Sequence, residues 1–406
     1  MARDLLHLCA RATADPVPTE DLAASCAQIR NWDDLLRRAE EQSLAPLLHW
    51  HLKDRTELCP NHFRRAAFLL FLRHRHVNTV LLQALSEVLA LLGRAGIEVL
   101  VLKGAALCRT IYPEIALRPM RDIDLLVRHE QAQQAQDMLL NNGFSPSRAP
   151  RPVDHFHLPS LHTTVDAVPV CIELHTGLFP ACPPGYRHQD FDDLRQRAAV
   201  FSLPDATEAL TLGNEDMLWH VFNHGLRMPL TYEPFKLVTA ADIITLVEMR
   251  VATMDWPRIG REYPEVLAAL PQFHHLSPWS KQVLARLPNI PRTRPAGSGT
   301  VFRGWPRRRL KELQKRNLFG LLRDSFLPPA WWCWIYYGCA NRMAFYRCRL
   351  LTHPRHVFWW IRLHAALLPS APPPVSLPSL AGRLRRWCHM TAALMRKLTQ
   401  ATPKTS

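Results

Sequence analysis

The chain has 406 residues, 48% of them apolar, with 50 lysines and arginines against 35 aspartates and glutamates. That length holds two or three domains, and that apolar content excludes a chain disordered throughout. The net charge of +15 is uneven: residues 291–406 carry 21 basic residues against only Glu312 and Asp324, leaving −4 for the first 290 residues. A near-neutral body with a basic C-terminal region points to an acidic partner for that region.

The ten cysteines include no Cys-x-x-Cys pair, which fits a reduced intracellular chain that uses them as small apolar residues. The N-terminus lacks an apolar signal-peptide core. No run of about 18 uncharged apolar residues marks a spanning helix. The nearest, AWWCWIYYGCANRMAFY (330–346), is interrupted by Asn341 and Arg342.

In chain order, residues 1–95 read as helices, with apolar residues at helical spacing through WDDLLRRAEEQSLAPLLHWHL and VNTVLLQALSEVLALLGRAG. Gly93 and Gly96 close the second run. IEVLVL (97–102) reads as a buried strand, followed by Lys103, Gly104 and a short helix stopped at Pro113. DIDLLV (122–127) reads as a second strand, 129–144 as an amphipathic helix, and PVCIELH (169–175) as a third strand. From about 206 the pattern turns helical, through NEDMLWHVFNHGL and FKLVTAADIITLVEM. Residues 288–306 read as a linker. RRRLKELQKR, a tryptophan-rich stretch, a proline cluster and a last basic helix near 381–400 follow. The domains read as 1–95 helical, 96–205 an α/β core, 206–288 helical and 289–406 basic and rich in Trp and Pro.

Within the core, residues two apart on a strand share a face. Asp122 and Asp124 then project together while Ile123, Leu125 and Val127 enter the core. Glu173 and His175 share the face opposite Val170, Ile172 and Leu174. Adjacent carboxylates repel unless a cation lies between them, and hard divalent ions prefer such oxygen ligands. Gly104, between strand and helix, offers backbone N–H groups to phosphate oxygens, with Lys103 and Arg118 adding charge. An ordinary turn at Gly104, and ion pairs between the arginines and the aspartates, are the competing readings. His220 and His224, four apart, have a zinc-binding spacing but no evident acidic or cysteine partner, which favours plain helix-face histidines.

Together, LKGAAL (102–107), IYP (111–113), RPMRDIDLLV (118–127), LLNNGF (139–144) and IELH (172–175) resemble the polymerase-β-type nucleotidyltransferase superfamily, in particular a bacterial group labelled only as nucleotidyltransferase family protein. EDMLWHVFNHG (215–225) and LVTAADIITLV (237–247) extend the resemblance over roughly residues 90–260. The resemblance implies an α/β (α+β) core with a mixed sheet and flanking helices, between N- and C-terminal helical regions. It implies that Asp122, Asp124 and Glu173 are catalytic and bind Mg²⁺ or Mn²⁺, and that Lys103, Gly104, Arg118 and Arg121 face the nucleotide. The implied partner is a nucleoside triphosphate with an unidentified acceptor. Two metal ions are expected, one on all three carboxylates and one on the two aspartates. The wider superfamily has Gly-Ser or Gly-Gly where this chain has Lys103-Gly104-Ala105. Replacing Asp124 with Asn is expected to abolish transfer and leave the fold intact. The company of such family members points to a glycan or related acceptor near a membrane, with the protein cytoplasmic and peripheral at the inner membrane surface. A non-catalytic nucleotide-binding or scaffolding protein and an RNA-directed transferase are the alternatives.

Seven of the twelve tryptophans follow residue 300. With the arginines of 291–406 they suit an anionic membrane surface, a single-stranded nucleic acid, or a small aromatic core with solvated arginines.

Overall fold

The computed structural model describes residues 4–13, 17–147, 156–179, 189–227, 236–287, 302, 304, 318–339 and 341–359. Seven strands among them form one sheet: β1 (Leu100–Val101), β2 (Ile123–Leu126), β3 (Ser145–Pro146), β4 (Leu161–Val165), β5 (Val168–His175), β6 (Ala199–Ser202) and β7 (Glu208–Thr211). Their order is β3-β4-β5-β2-β1-β7-β6. The β2–β5 and β1–β7 pairs are parallel and the rest antiparallel, so the sheet is mixed, with helices around it, as expected. All four residues of β2 are buried, the mark of a central strand covered on both faces.

The strand expected at 97–102 is hydrogen-bonded as a strand only at Leu100–Val101. β4 closes a hairpin on β5 through Asp166 and Ala167, both at positive φ (48° and 62°). That is the geometry of a two-residue primed turn, made here without the glycine that usually signals it. β7 also precedes the helical half, whose helix Asn214–Phe222 begins three residues after Thr211.

The longest helix, Asn61–Arg94, has 34 residues and ends two residues before Gly96, which takes φ +70°. By length and composition it could cross a membrane, but half of its apolar window is buried inside the protein. Its inner face carries Val80, Leu81, Leu85, Val88 and Leu92 into the core. Asn78, fully buried on this helix, fixes the loop before β2. Its Nδ2 donates to the carbonyls of Ile115 (2.6 Å) and Arg118 (2.9 Å), and its Oδ1 accepts from the Met120 amide (3.2 Å).

The described residues fall into two compact units, one within Met1–Leu226 and Lys236–Arg292, the other within Arg227–Phe235 and Thr293–Ser406. In the second, Phe302, Trp332, Cys333, Tyr336, Cys339, Phe345 and Val357 make an apolar core. Phe302 and Tyr336 both stack on Trp332, with centroids 4.8 and 4.4 Å away. The AWWCWIYY stretch is thus a helix, Ala330–Tyr337, stopped by Gly338 in the left-handed region. Most of the expected linker at 288–306, RRRLKELQKR, the proline cluster and the last basic helix lie outside the described residues.

Asn78→Ala leaves two buried carbonyls and one amide without their side-chain partner. The expected loss is about 3 kcal/mol, since each unsatisfied buried group costs ~1–3 kcal/mol and relaxation recovers part of it. Urea unfolding measures this; a loss under about 0.5 kcal/mol would contradict the role of Asn78.

Candidate functional site

The parallel register of β2 and β5 places Asp124 beside Glu173 and Leu126 beside His175. Paired residues of a parallel ladder share a face, so the two carboxylates and the imidazole lie together. Ile123, Leu125, Ile172 and Leu174 fill the opposite face. Asp122 sits just before the strand and is exposed, whereas Asp124 is buried. The chain therefore brings one carboxylate of the D-x-D pair inside and leaves the other at the mouth.

From β1 the chain passes Leu102, whose amide donates to the Asp124 carbonyl at 2.9 Å. Lys103 follows in the left-handed region, at φ 47°, unusual for a residue with a side chain. It brings its ammonium onto Asp124, Nζ to Oδ1 2.9 Å. His175 Nε2 also lies 2.9 Å from the same oxygen. Burial lowers the His175 pKa, so the ring is neutral at pH 7 and donates Nε2–H to the carboxylate. Burial alone would push Asp124 up, but Lys103 and the His175 bond hold it well below the usual carboxylate range. Burial likewise opposes the Lys103 charge, and Asp124, then Asp122, then Glu173, outweigh it and raise its pKa.

Glu173 keeps 23% of its side chain exposed, with the Nε2 atoms of His157 and His175 each 3.8 Å from its Oε2. Cys171 precedes it on the same face. Burial, with Glu173, Asp122 and Asp124 nearby, pushes this thiol up to about 12, so it stays protonated and is no nucleophile at neutral pH.

The arginines divide. Arg118 turns to the helical half, where its Nε lies 2.8 and 3.0 Å from the two Asp242 oxygens; Tyr112 Oη donates to Asp242 at 2.8 Å. The principal ion pair of Arg118 is therefore with Asp242, rather than with the D-x-D aspartates. Arg121 is exposed beside Asp122. Gly104 has a structural reason of its own: a Cβ there would come within 3.3 Å of both Arg118 Nη1 and Met120 Cγ. Its bareness lets the segment before β2 pack on the start of the helix Lys103–Thr110.

A divalent ion fits these residues on donor chemistry. One ligand atom from each of Asp124, Glu173 and His175 lie within 4.8 Å of one another. Both short contacts of Asp124 fall on Oδ1, so Oδ2 is the atom to offer. With the His175 Nε2–H directed at Asp124, the hard oxygens of Asp124 and Glu173 are the natural ligands, and His175 aims the carboxylate.

The residue pattern singles out the carboxylates and puts His175 on the Glu173 face, but it marks neither His157 nor Asp242. The D-x-D to I-E-L-H pairing held the one signal for His175, because position 175 shares the face of position 173. His220 is fully buried with no partner for either ring nitrogen. Burial first, then the Lys103 charge, lowers its pKa well below the ordinary value, which places it near the site from the helical half.

The sequence profile of a family described as "Uncharacterised nucleotidyltransferase" matches residues 29–268, more than half of the chain. No curated protein matches. Among solved structures, the chain is similar to an antigenic nucleotidyltransferase-like protein from Paracoccidioides brasiliensis, at 14% identity and a TM-score of 0.30, covering 51% of this chain and 97% of that one.

The Lys103–Asp124 pair revises the expected behaviour of Asp124→Asn. Removing the carboxylate leaves a buried ammonium without its nearest counter-charge, and breaking a buried pair costs about 3–5 kcal/mol. Chemical denaturation is expected to show a loss of that order for Asp124→Asn, largely regained in Lys103→Met/Asp124→Asn. A single variant as stable as the parent would contradict the pairing.

Proposed function

The chain belongs to the family of uncharacterised nucleotidyltransferases, and from that premise we propose that it moves a nucleoside monophosphate from an NTP to an acceptor hydroxyl. The observation that carries this reading is the in-register pair of Asp124 and Glu173 on adjacent parallel strands, behind a Lys-Gly turn that opens a helix. In this reading Asp122, Asp124 and Glu173 hold Mg²⁺ or Mn²⁺. When bound, the ion lowers the pKa of the acceptor hydroxyl and offsets charge at the triphosphate.

The chain's own groups supply positioning and charge. His175 holds Asp124 in one orientation. The first amides of the helix Lys103–Thr110 receive phosphate oxygens, as helix N-termini do. Arg121, exposed at the mouth, meets the triphosphate, and Arg118, braced by Asp242, fixes the loop that carries Asp122. In-line attack then depends mainly on orientation and on stabilisation of developing charge. The acceptor in this reading is a glycan or related hydroxyl compound, met in the cytoplasm at the inner membrane surface. A non-catalytic scaffold has no use for a partly exposed Glu173 held against a buried carboxylate, since the two repel.

The test is incubation with each radiolabelled NTP, Mg²⁺ or Mn²⁺ and host extract. Label is expected to pass to an acceptor, and Asp122→Ala and Glu173→Gln, neither of which removes a member of the buried Lys103–Asp124 pair, are expected to lower transfer by about 10²-fold or more. Undiminished transfer in both variants would sink the assignment.

A further inference from the structure

We propose that Lys103 takes the place of one of the two divalent ions, so that the site binds a single metal ion. This rests on the nucleotidyl-transfer reading above and deepens it. To bridge two ions a carboxylate commonly gives one oxygen to each. Asp124 has Oδ1 occupied twice, by Lys103 Nζ and His175 Nε2, both at 2.9 Å, which leaves Oδ2 for one ion. Charge agrees: Asp122, Asp124 and Glu173 against one ammonium leave two negative charges, the charge of one divalent cation. Arg118 adds nothing to this balance, since it is already matched by Asp242. The backbone is arranged for this, because Lys103 is held in the left-handed region with its side chain 14% exposed. A residue kept in that conformation is over-determined by its surroundings. The ammonium is thus a fixed part of the site on the side where the phosphates enter, beside Gly104.

Mn²⁺ electron paramagnetic resonance on the full chain with a non-hydrolysable NTP analogue tests this. Two Mn²⁺ about 3.5–4 Å apart couple magnetically, and a single ion does not. The parent and Lys103→Arg are expected to bind one uncoupled Mn²⁺ per chain, and Lys103→Met to bind a second, coupled ion. Two coupled ions in the parent would overturn this inference and leave the transferase reading standing, as would one ion in a folded Lys103→Met. No Mn²⁺ in any folded variant would overturn both. If Lys103→Met fails to fold, the count in the parent alone decides.

A separate observation in the second unit carries a second proposal: we infer that the helical stretch 342–359 docks on an anionic lipid surface. These residues are helical throughout, with a π-turn at Cys348–Thr352. Phe345, His353 and Val357 face inward, while Met343 (79% exposed), Tyr346, Leu350 (57% exposed), Leu351 and Phe358 face out. Arg342, Arg347 and Arg355 are exposed among them, and 341–359 contains no acidic residue. An outward apolar face fringed by arginines complements anionic headgroups above acyl chains. Nucleic acid is less suited, because the outward set is mainly aliphatic and offers few rings for bases to stack on.

The full chain is expected to sediment with phosphatidylglycerol vesicles at least tenfold more strongly than with phosphatidylcholine vesicles. Met343→Asp/Leu350→Asp, with an unchanged melting curve, is expected to lose that preference. Equal binding to both vesicles, binding to neither, an undiminished double variant, or capture by poly(U) in preference to vesicles would each overturn the proposal.

Discussion

A carboxylate cannot stay ionised inside a protein without a cation or strong donors against it. Asp124 meets that requirement with Lys103 and His175, both on one oxygen. Much else in the first unit follows from keeping these three groups in place. The β2–β5 register delivers Asp124 and His175, and the left-handed turn at residue 103 delivers the ammonium. Because that pairing consumes one oxygen and one negative charge, it also sets what remains for a ligand: Asp124 Oδ2, Glu173 and Asp122.

Support for this arrangement comes from distant parts of the chain. Asn78, on the longest helix, ties down the segment from Ile115 to Met120 through three bonds to its backbone. Asp242, on the helix Leu237–Arg250 of the helical half, clamps Arg118 within the same segment. The loop carrying Asp122 to the mouth is thus braced from both sides, leaving Asp122 exposed on a rigid support. Asp216 plays a comparable structural part at the sheet edge, where it receives Arg197 (3.0 Å), Arg258 (2.6 Å) and Tyr263. Ion pairs on buried carboxylates therefore join the helical half to the sheet side at two separate points.

How much of this the sequence discloses depends on whether the cause is local. The alternation in RPMRDIDLLV and PVCIELH exposes the two central strands, their inward faces and the carboxylates, because period-two burial leaves a direct mark. The β4–β5 hairpin escapes, because its turn uses Asp166 and Ala167 where Asn-Gly or Asp-Gly would have been readable. β6 and β7 are four residues each and partly exposed, too short for a pattern. The partner of Arg118 lies 124 residues away, so only folding reveals that it belongs to Asp242 and not to its neighbours. Lys103 reads as a phosphate-binding lysine from its place beside Gly104. That its ammonium lies on Asp124 follows from an unusual φ at a non-glycine residue, which no pattern of residue types announces.

The account stands on Lys103 remaining on Asp124 Oδ1 while a metal occupies the other side of that carboxylate. Anomalous diffraction from crystals grown with Mn²⁺ and a non-hydrolysable NTP tests this most directly. One Mn²⁺ peak is predicted, in contact with Asp124 Oδ2 and Glu173, with the Lys103 ammonium still within hydrogen-bond distance of Oδ1. Two peaks flanking Asp124 with Lys103 turned away, or no peak at these carboxylates, would contradict it.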